Sequence, residues 1–114
     1  MFWTLSQVAL GGAIGSVLRF LTVAAVSAPL ATLIVNIAGS FAIGVAFVLL
    51  SARLSPLLMT GVLGGFTTFS AFSLDALKLW DTGQPAQAAG YVAASVLLSL
   101  AAVALGTALA RGFT

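Results

Sequence analysis

Long apolar stretches alternate with short polar breaks along this chain. Four stretches, at about 4–26, 31–52, 56–80 and 86–110, each come close to the ~20 residues that carry a helix across a hydrocarbon core. Ala28-Pro29 closes the first, and Arg53-Leu-Ser-Pro56 separates the second from the third. Asp81-Thr-Gly-Gln-Pro85 separates the third from the fourth, and Arg111-Gly112 closes the last. Connections this short make neighbouring helices antiparallel. No low-complexity tract, internal repeat or composition shift divides the chain, so residues 1–114 read as a single domain.

The third stretch departs from the pattern. It contains Gly61-Val-Leu-Gly-Gly-Phe-Thr-Thr-Phe-Ser-Ala-Phe-Ser-Leu-Asp75. Glycine costs roughly 1 kcal/mol against alanine inside a helix, and β-branched threonine is also disfavoured. Gly64-Gly65 followed by Thr67-Thr68 therefore predicts a break near the middle of this helix. Unpaired backbone groups in hydrocarbon cost several kcal/mol each, so irregular backbone persists only inside protein or along a wet cavity. A break followed by phenylalanines and hydroxyls reads as a site.

Composition fixes the class as all-α integral membrane. Hydrophobic residues make up 61% and charged residues 5%, where a soluble domain carries about 25% charge. Cysteine and histidine are absent, which excludes thiol chemistry and the usual transition-metal ligands. The four basic residues are scattered and form no patch for nucleic acid. Met1-Phe-Trp-Thr4 lacks a basic leader, and the apolar stretch that follows is too long for a cleaved signal, so it is expected to be a mature span.

With four spans, both termini and the 53 turn share one side. Arg53 and Arg111 lie there; Lys78 and, less deeply, Arg19 lie towards the other. Orientation follows Lys and Arg, and here the two sides balance. Two outcomes follow: insertion in both orientations, for which an up-and-down pair is the natural dimer, or one orientation chosen by subtler cues. Four short spans enclose little volume, so oligomerisation is expected. Gly11/Gly15, Ser40/Gly44 and Gly61/Gly65 are small-residue pairs suited to close helix packing.

Polar groups inside the spans fall on defined faces. Thr32, Asn36 and Ser40 recur every fourth residue on the second span, and Tyr91, Ser95 and Ser99 do so on the fourth. Asn36 admits two readings: an interhelical hydrogen bond of about 0.6–2 kcal/mol, or a donor aimed at an anion. The hydroxyl stripe is suited to solvating an ion stepwise. Phe69 and Phe72 share a face after the break; aromatic pairs usually pack cores, but ring edges carry positive potential. Arg19 is the charge set clearly within a span, with Asp75 and Asp81 as possible partners.

Together these residues resemble the CrcB/Fluc family of small fluoride channels. The carrying motifs are Gly11-Gly-Ala-Ile-Gly15 with Arg19-Phe20, Thr32-Leu-Ile-Val-Asn36-Ile-Ala-Gly39-Ser40-Phe41-Ala-Ile-Gly44, and Gly61 through Ser73. The resemblance covers essentially the whole chain. It implies four transmembrane helices with the third broken, assembled as an antiparallel dual-topology homodimer in the cell inner membrane. It implies passive export of cytoplasmic fluoride through two pathways. Asn36, Thr32, Phe69, Phe72, Tyr91, Ser95 and Ser99 would line each pathway, with Arg19 and Asp75 shaping the electrostatics of its vestibule. It further implies a structural sodium ion on the dimer axis, held by backbone carbonyls of Gly64 and Thr67. Three positions depart from the family pattern: Ala71 where threonine is frequent, Val103 where another hydroxyl would extend the track, and Asp75 where glutamate is usual.

Two other classes compete. A small multidrug-type exporter also has four spans, but commonly needs an acid within the first, and none is present. A non-transporting membrane assembly protein would use the same polar residues for packing alone. An enzyme is excluded as an expectation, since the spans offer no nucleophile–base pair.

Overall fold

A computed structural model describes Met1–Thr114. The chain is helical throughout: α1 Phe2–Val26, α2 Leu30–Leu49, a π-helical segment Pro56–Leu63, α3 Gly64–Phe66, α4 Phe69–Asp81 and α5 Pro85–Arg111. The π-helical segment, α3 and α4 together form one interrupted span, Pro56–Asp81, so four helical units are long and apolar enough to cross a membrane. The longest, α5, extends about 40 Å at 1.5 Å per residue. The predicted spans agree with these within about three residues.

The helix ends follow local chemistry. Thr68, in extended conformation, caps α4: its side chain accepts a hydrogen bond from Ala71 N–H. At the other end Gly83 takes φ 77°, Gly83 N–H bonds the Trp80 carbonyl and Gln84 N–H bonds that of Leu79. This is a Schellman ending, and it needs the left-handed conformation that glycine adopts freely. Proline at the first position opens both the π-helical segment and α5, where its missing N–H costs nothing.

The bundle is two tight helix pairs. The interrupted span packs along α1, and α2 packs along α5. Glycine makes both contacts possible. A Cβ on Gly15 would run into the Val62 carbonyl and lie 2.8 Å from Phe66 N, and one on Gly61 would lie 2.8 Å from the Gly11 Cα. Across the second pair, a Cβ on Gly44 would strike the Val103 carbonyl and one on Gly106 that of Phe41. The small-residue pairs singled out in the sequence thus join helices within one chain.

The break falls within the predicted stretch, at its two threonines and not at its two glycines. Gly64 and Gly65 do not break the helix: Gly64 has helical φ −63° and ψ −36°, and the extended residues are Thr67 and Thr68. The reason is packing. A Cβ on Gly65 would lie 2.7 Å from the Gly12 carbonyl, so this glycine is there to let α1 approach. The wide π-helical turns before it, with Gly64 N–H bonded to the Met59 carbonyl, have no counterpart in the residue pattern.

The backbone contact predicts a sharp contrast between neighbours. Gly15→Ala should destabilise the protein by about 1–3 kcal/mol through overpacking. Gly12→Ala should be near neutral, because nothing lies within 4 Å of its Cβ position. Thermal unfolding of the two variants in one detergent measures the difference.

Candidate functional site

The interruption at Thr67-Thr68 frees backbone groups that a continuous helix would pair. Thr68 N–H, the helical donor for the Gly64 carbonyl, instead donates to Asn36 Oδ1 at 2.8 Å. Asn36 Nδ2 donates back to the Thr68 carbonyl at 3.0 Å. One side-chain amide on α2 thus satisfies both polar groups of Thr68 and orients itself, since a flipped amide would set donor against donor. Ala71 N–H, the helical donor for the Thr67 carbonyl, goes to the Thr68 hydroxyl at 3.1 Å. From α1, Arg19 Nε reaches the Gly65 carbonyl at 3.2 Å. Side chains from two helices therefore hold the break. The carbonyls of Gly64 and Thr67 are left without their helical donors.

Arg19 and Asp75 depart from the sequence expectation. Arg19 forms no ion pair with Asp75 or Asp81; the released Gly65 carbonyl takes its place. Asp75 is buried, and its Oδ2 accepts from the Tyr91 hydroxyl at 3.3 Å. A carboxylate inside a membrane bundle needs a partner, and the neighbouring helix provides one. Arg19 is therefore not the sole ionisable side chain set inside the bundle.

A groove of about 410 Å³ opens beside the break, between α2, the interrupted span and α5. Asn36, Phe69, Phe72, Ser95 and Ser99 line it, and so do Gly64 and Thr67. No charged side chain does. Thr32 and Tyr91 are not part of the lining: both are buried beyond it, with Tyr91 stacked at a tilt against Phe72, ring centres 5.4 Å apart. Phe69 and Phe72 meet edge to face at 5.3 Å. Their environments differ, Phe72 being 8% exposed and Phe69 77%.

Ser95 is the informative hydroxyl. Serine and threonine in helices commonly bond back to the carbonyl four residues earlier. Thr22, Ser73 and Thr107 do so here, at 2.9, 3.0 and 2.7 Å. Ser95 Oγ is buried and has no partner. A buried unpaired hydroxyl costs about 1–3 kcal/mol, so it calls for something to bind. The hydroxyl track ends at Ser99, because the Thr107 hydroxyl is turned onto Val103 at the crossing with Gly44.

Sequence reasoning missed Gln7, which is buried on α1 and donates through Nε2 to the Arg53 carbonyl at 3.2 Å. The signal was available. Gln7, Gly11 and Gly15 recur every fourth residue, so Gln7 continues the face on which α1 meets its neighbour.

Residues 6–107 match the model of a family described as CrcB-like protein, Camphor Resistance (CrcB). The chain belongs to this CrcB-like family. It is similar to a protein of Cereibacter sphaeroides, 51% identical over 99% of this chain and 98% of that protein. A protein of Paracoccus denitrificans is 52% identical over 96% of this chain and 95% of its own length. One from Rhizobium etli is 50% identical over 91% and 93%. All three carry the name fluoride-specific ion channel FluC. In this CrcB-like chain the motif residues Asn36, Thr67, Thr68 and Phe69 sit at one structural event, the interruption of the third span.

The clamp on Thr68 yields a test. Asn36→Ala leaves the N–H and C=O of Thr68 unpaired, at about 1–3 kcal/mol for each group that stays dry. The variant should unfold at a clearly lower temperature than wild type. A truncation on the same helix outside the groove, Ile34→Ala, should cost less, because Ile34 is exposed. An Asn36→Ala melting curve superimposable on wild type would show that the clamp contributes nothing.

Proposed function

We propose that the protein is a fluoride-selective passive channel that lets cytoplasmic fluoride leave the cell, and not an enzyme. The observation that carries this reading is the unpaired, buried Ser95 hydroxyl in a groove without charged lining, in a chain about half identical to proteins named fluoride-specific ion channels.

Fluoride is small and strongly hydrated, so a pore must replace its water with donors. Asn36 has a second Nδ2 hydrogen beyond the one given to Thr68. Ser95 and Ser99 add hydroxyl donors, and the rings of Phe69 and Phe72 add positive edges. None of these is a full charge. Binding is then strong enough for entry and weak enough for exit. Thr32 and the Tyr91–Asp75 pair extend the polar route towards a shallow recess lined by Asp75 and Lys78. Arg19 adds positive potential beside the break.

The working unit we propose is an antiparallel dual-topology homodimer in the cell inner membrane, with two pathways. Phe69 and Gly64 are exposed on a single chain, and the carbonyls of Gly64 and Thr67 have lost their helical donors. Lipid cannot satisfy such groups. A second copy supports them, and four carbonyl oxygens from the two copies are a donor set suited to a hard cation. A sodium ion held there would supply fixed positive charge at the interface. The groove contains no carboxylate, which favours a passive channel over a proton-coupled exporter. A partnerless hydroxyl inside it favours a channel over a purely packing protein.

The decisive measurement is ion efflux from liposomes containing the purified protein. Fluoride should leave rapidly while a parallel chloride trace stays flat. Phe72→Ile should lower fluoride efflux by about tenfold or more with dimer size unchanged, the order of one lost stabilising contact of ~1.4 kcal/mol. Chloride release equal to fluoride release would sink the selectivity reading, and wild-type flux in Phe72→Ile the ring-edge role.

A further inference from the structure

A second recess, of about 470 Å³, lies between the start of α1 and the turn that precedes the interrupted span. It shares no residue with the groove beside the break. Its lining is divided by chemistry. Arg53, Ser51 and Gln7 give it a polar side, and Leu10, Leu54 and Leu57 an apolar one. Trp3 stands at its edge with two-thirds of its surface exposed. The bond from Gln7 Nε2 to the Arg53 carbonyl ties the turn to α1 and fixes the backbone from which the guanidinium projects.

Arg53 forms no ion pair with an acid of its own chain. The two acids, Asp75 and Asp81, both belong to α4. The Arg53 turn precedes the Pro56–Asp81 span and Asp81 ends it, so they sit at opposite faces of the membrane. The height of the recess is also set: it lies at the end of a membrane-length helix, with a tryptophan of the kind that gathers at the lipid–water boundary. A cation at headgroup level above a leucine wall fits a molecule that is anionic at one end and apolar at the other.

We infer that this recess binds an anionic phospholipid. The phosphodiester would pair with the Arg53 guanidinium, whose planar fork suits phosphate oxygens. An acyl chain would lie along Leu10, Leu54 and Leu57. A free inorganic anion would use Arg53 but leave the leucine wall bare. The inference does not depend on what passes through the groove.

Native mass spectrometry of the purified protein with phosphatidylglycerol or phosphatidylcholine tests it. Wild type should retain phosphatidylglycerol in preference to phosphatidylcholine. Arg53→Gln should reduce phosphatidylglycerol retention about fivefold, the loss of one basic side chain at an anionic surface. Leu10→Trp, at a position already 60% exposed, should also reduce retention by filling the apolar side while keeping Arg53. Millimolar inorganic phosphate should not displace the lipid. Equal retention of the two lipids, unchanged retention in both variants, or displacement by phosphate would each overturn the assignment. So would an Arg53→Gln protein that loses its dimer but not its lipid, since Arg53 would then serve a second copy.

Discussion

The satisfaction of Thr68's backbone by the Asn36 side chain is the interaction on which the site depends. A helix in hydrocarbon cannot interrupt itself without new partners for the groups it releases. Asn36 offers one acceptor and one donor at 2.8 and 3.0 Å, matched to one N–H and one carbonyl. With those met, the chain can turn through two extended residues and restart as α4 under the Thr68 cap. The restart sets Phe69 and Phe72, the first residues of α4 to line the groove. Asn36 thus meets its packing reading, and its second amide hydrogen carries no bond within the chain.

The second constraint is close approach. Arg19 reaches the Gly65 carbonyl because α1 lies against the interrupted span with almost no side chains between them. Gly11, Gly15, Gly61 and Gly65 remove the methyls that would hold the backbones apart. Without a hydrophobic effect between helices in lipid, such contacts gain their stability from van der Waals packing over short distances. The glycines of the third span therefore act on α1 and only indirectly on the break.

Much of this was legible in the residues and some was not, for identifiable reasons. The spans were legible because hydrophobic length is set by the bilayer and the punctuation at Pro29, Pro56 and Pro85 is local. The break was legible and lies within the stretch that predicted it, at Thr67-Thr68, but intrinsic propensity cannot see that Gly65 serves the approach of α1 and not the break. Asn36 was legible as a polar group needing a partner. The partner was not, because it is a backbone unit 32 positions away whose side chain carries no matching signal. Arg19 failed the same way: charge suggested Asp75 or Asp81, and a carbonyl won. Of the residues expected along one track, Ser95 and Ser99 reach the groove while Tyr91 is engaged with Asp75, a distinction that helical spacing alone cannot make.

The division among the hydroxyls has a consequence for how such a groove can handle a small anion. Tyr91 and Thr107 have acceptors within the protein, so an anion would have to compete for their hydrogens. Ser95 Oγ, near the Tyr91 hydroxyl, makes no hydrogen bond within 3.5 Å, so its hydrogen is the least committed. Asn36 lies between these cases, with one hydrogen committed and one free. An arrangement of fully uncommitted donors would bind an anion tightly and hold it; one of fully committed donors would leave it unsolvated. Under the proposed channel reading, mixing the two in a groove without charged side chains would keep the wells shallow, the condition for an ion to pass and not lodge.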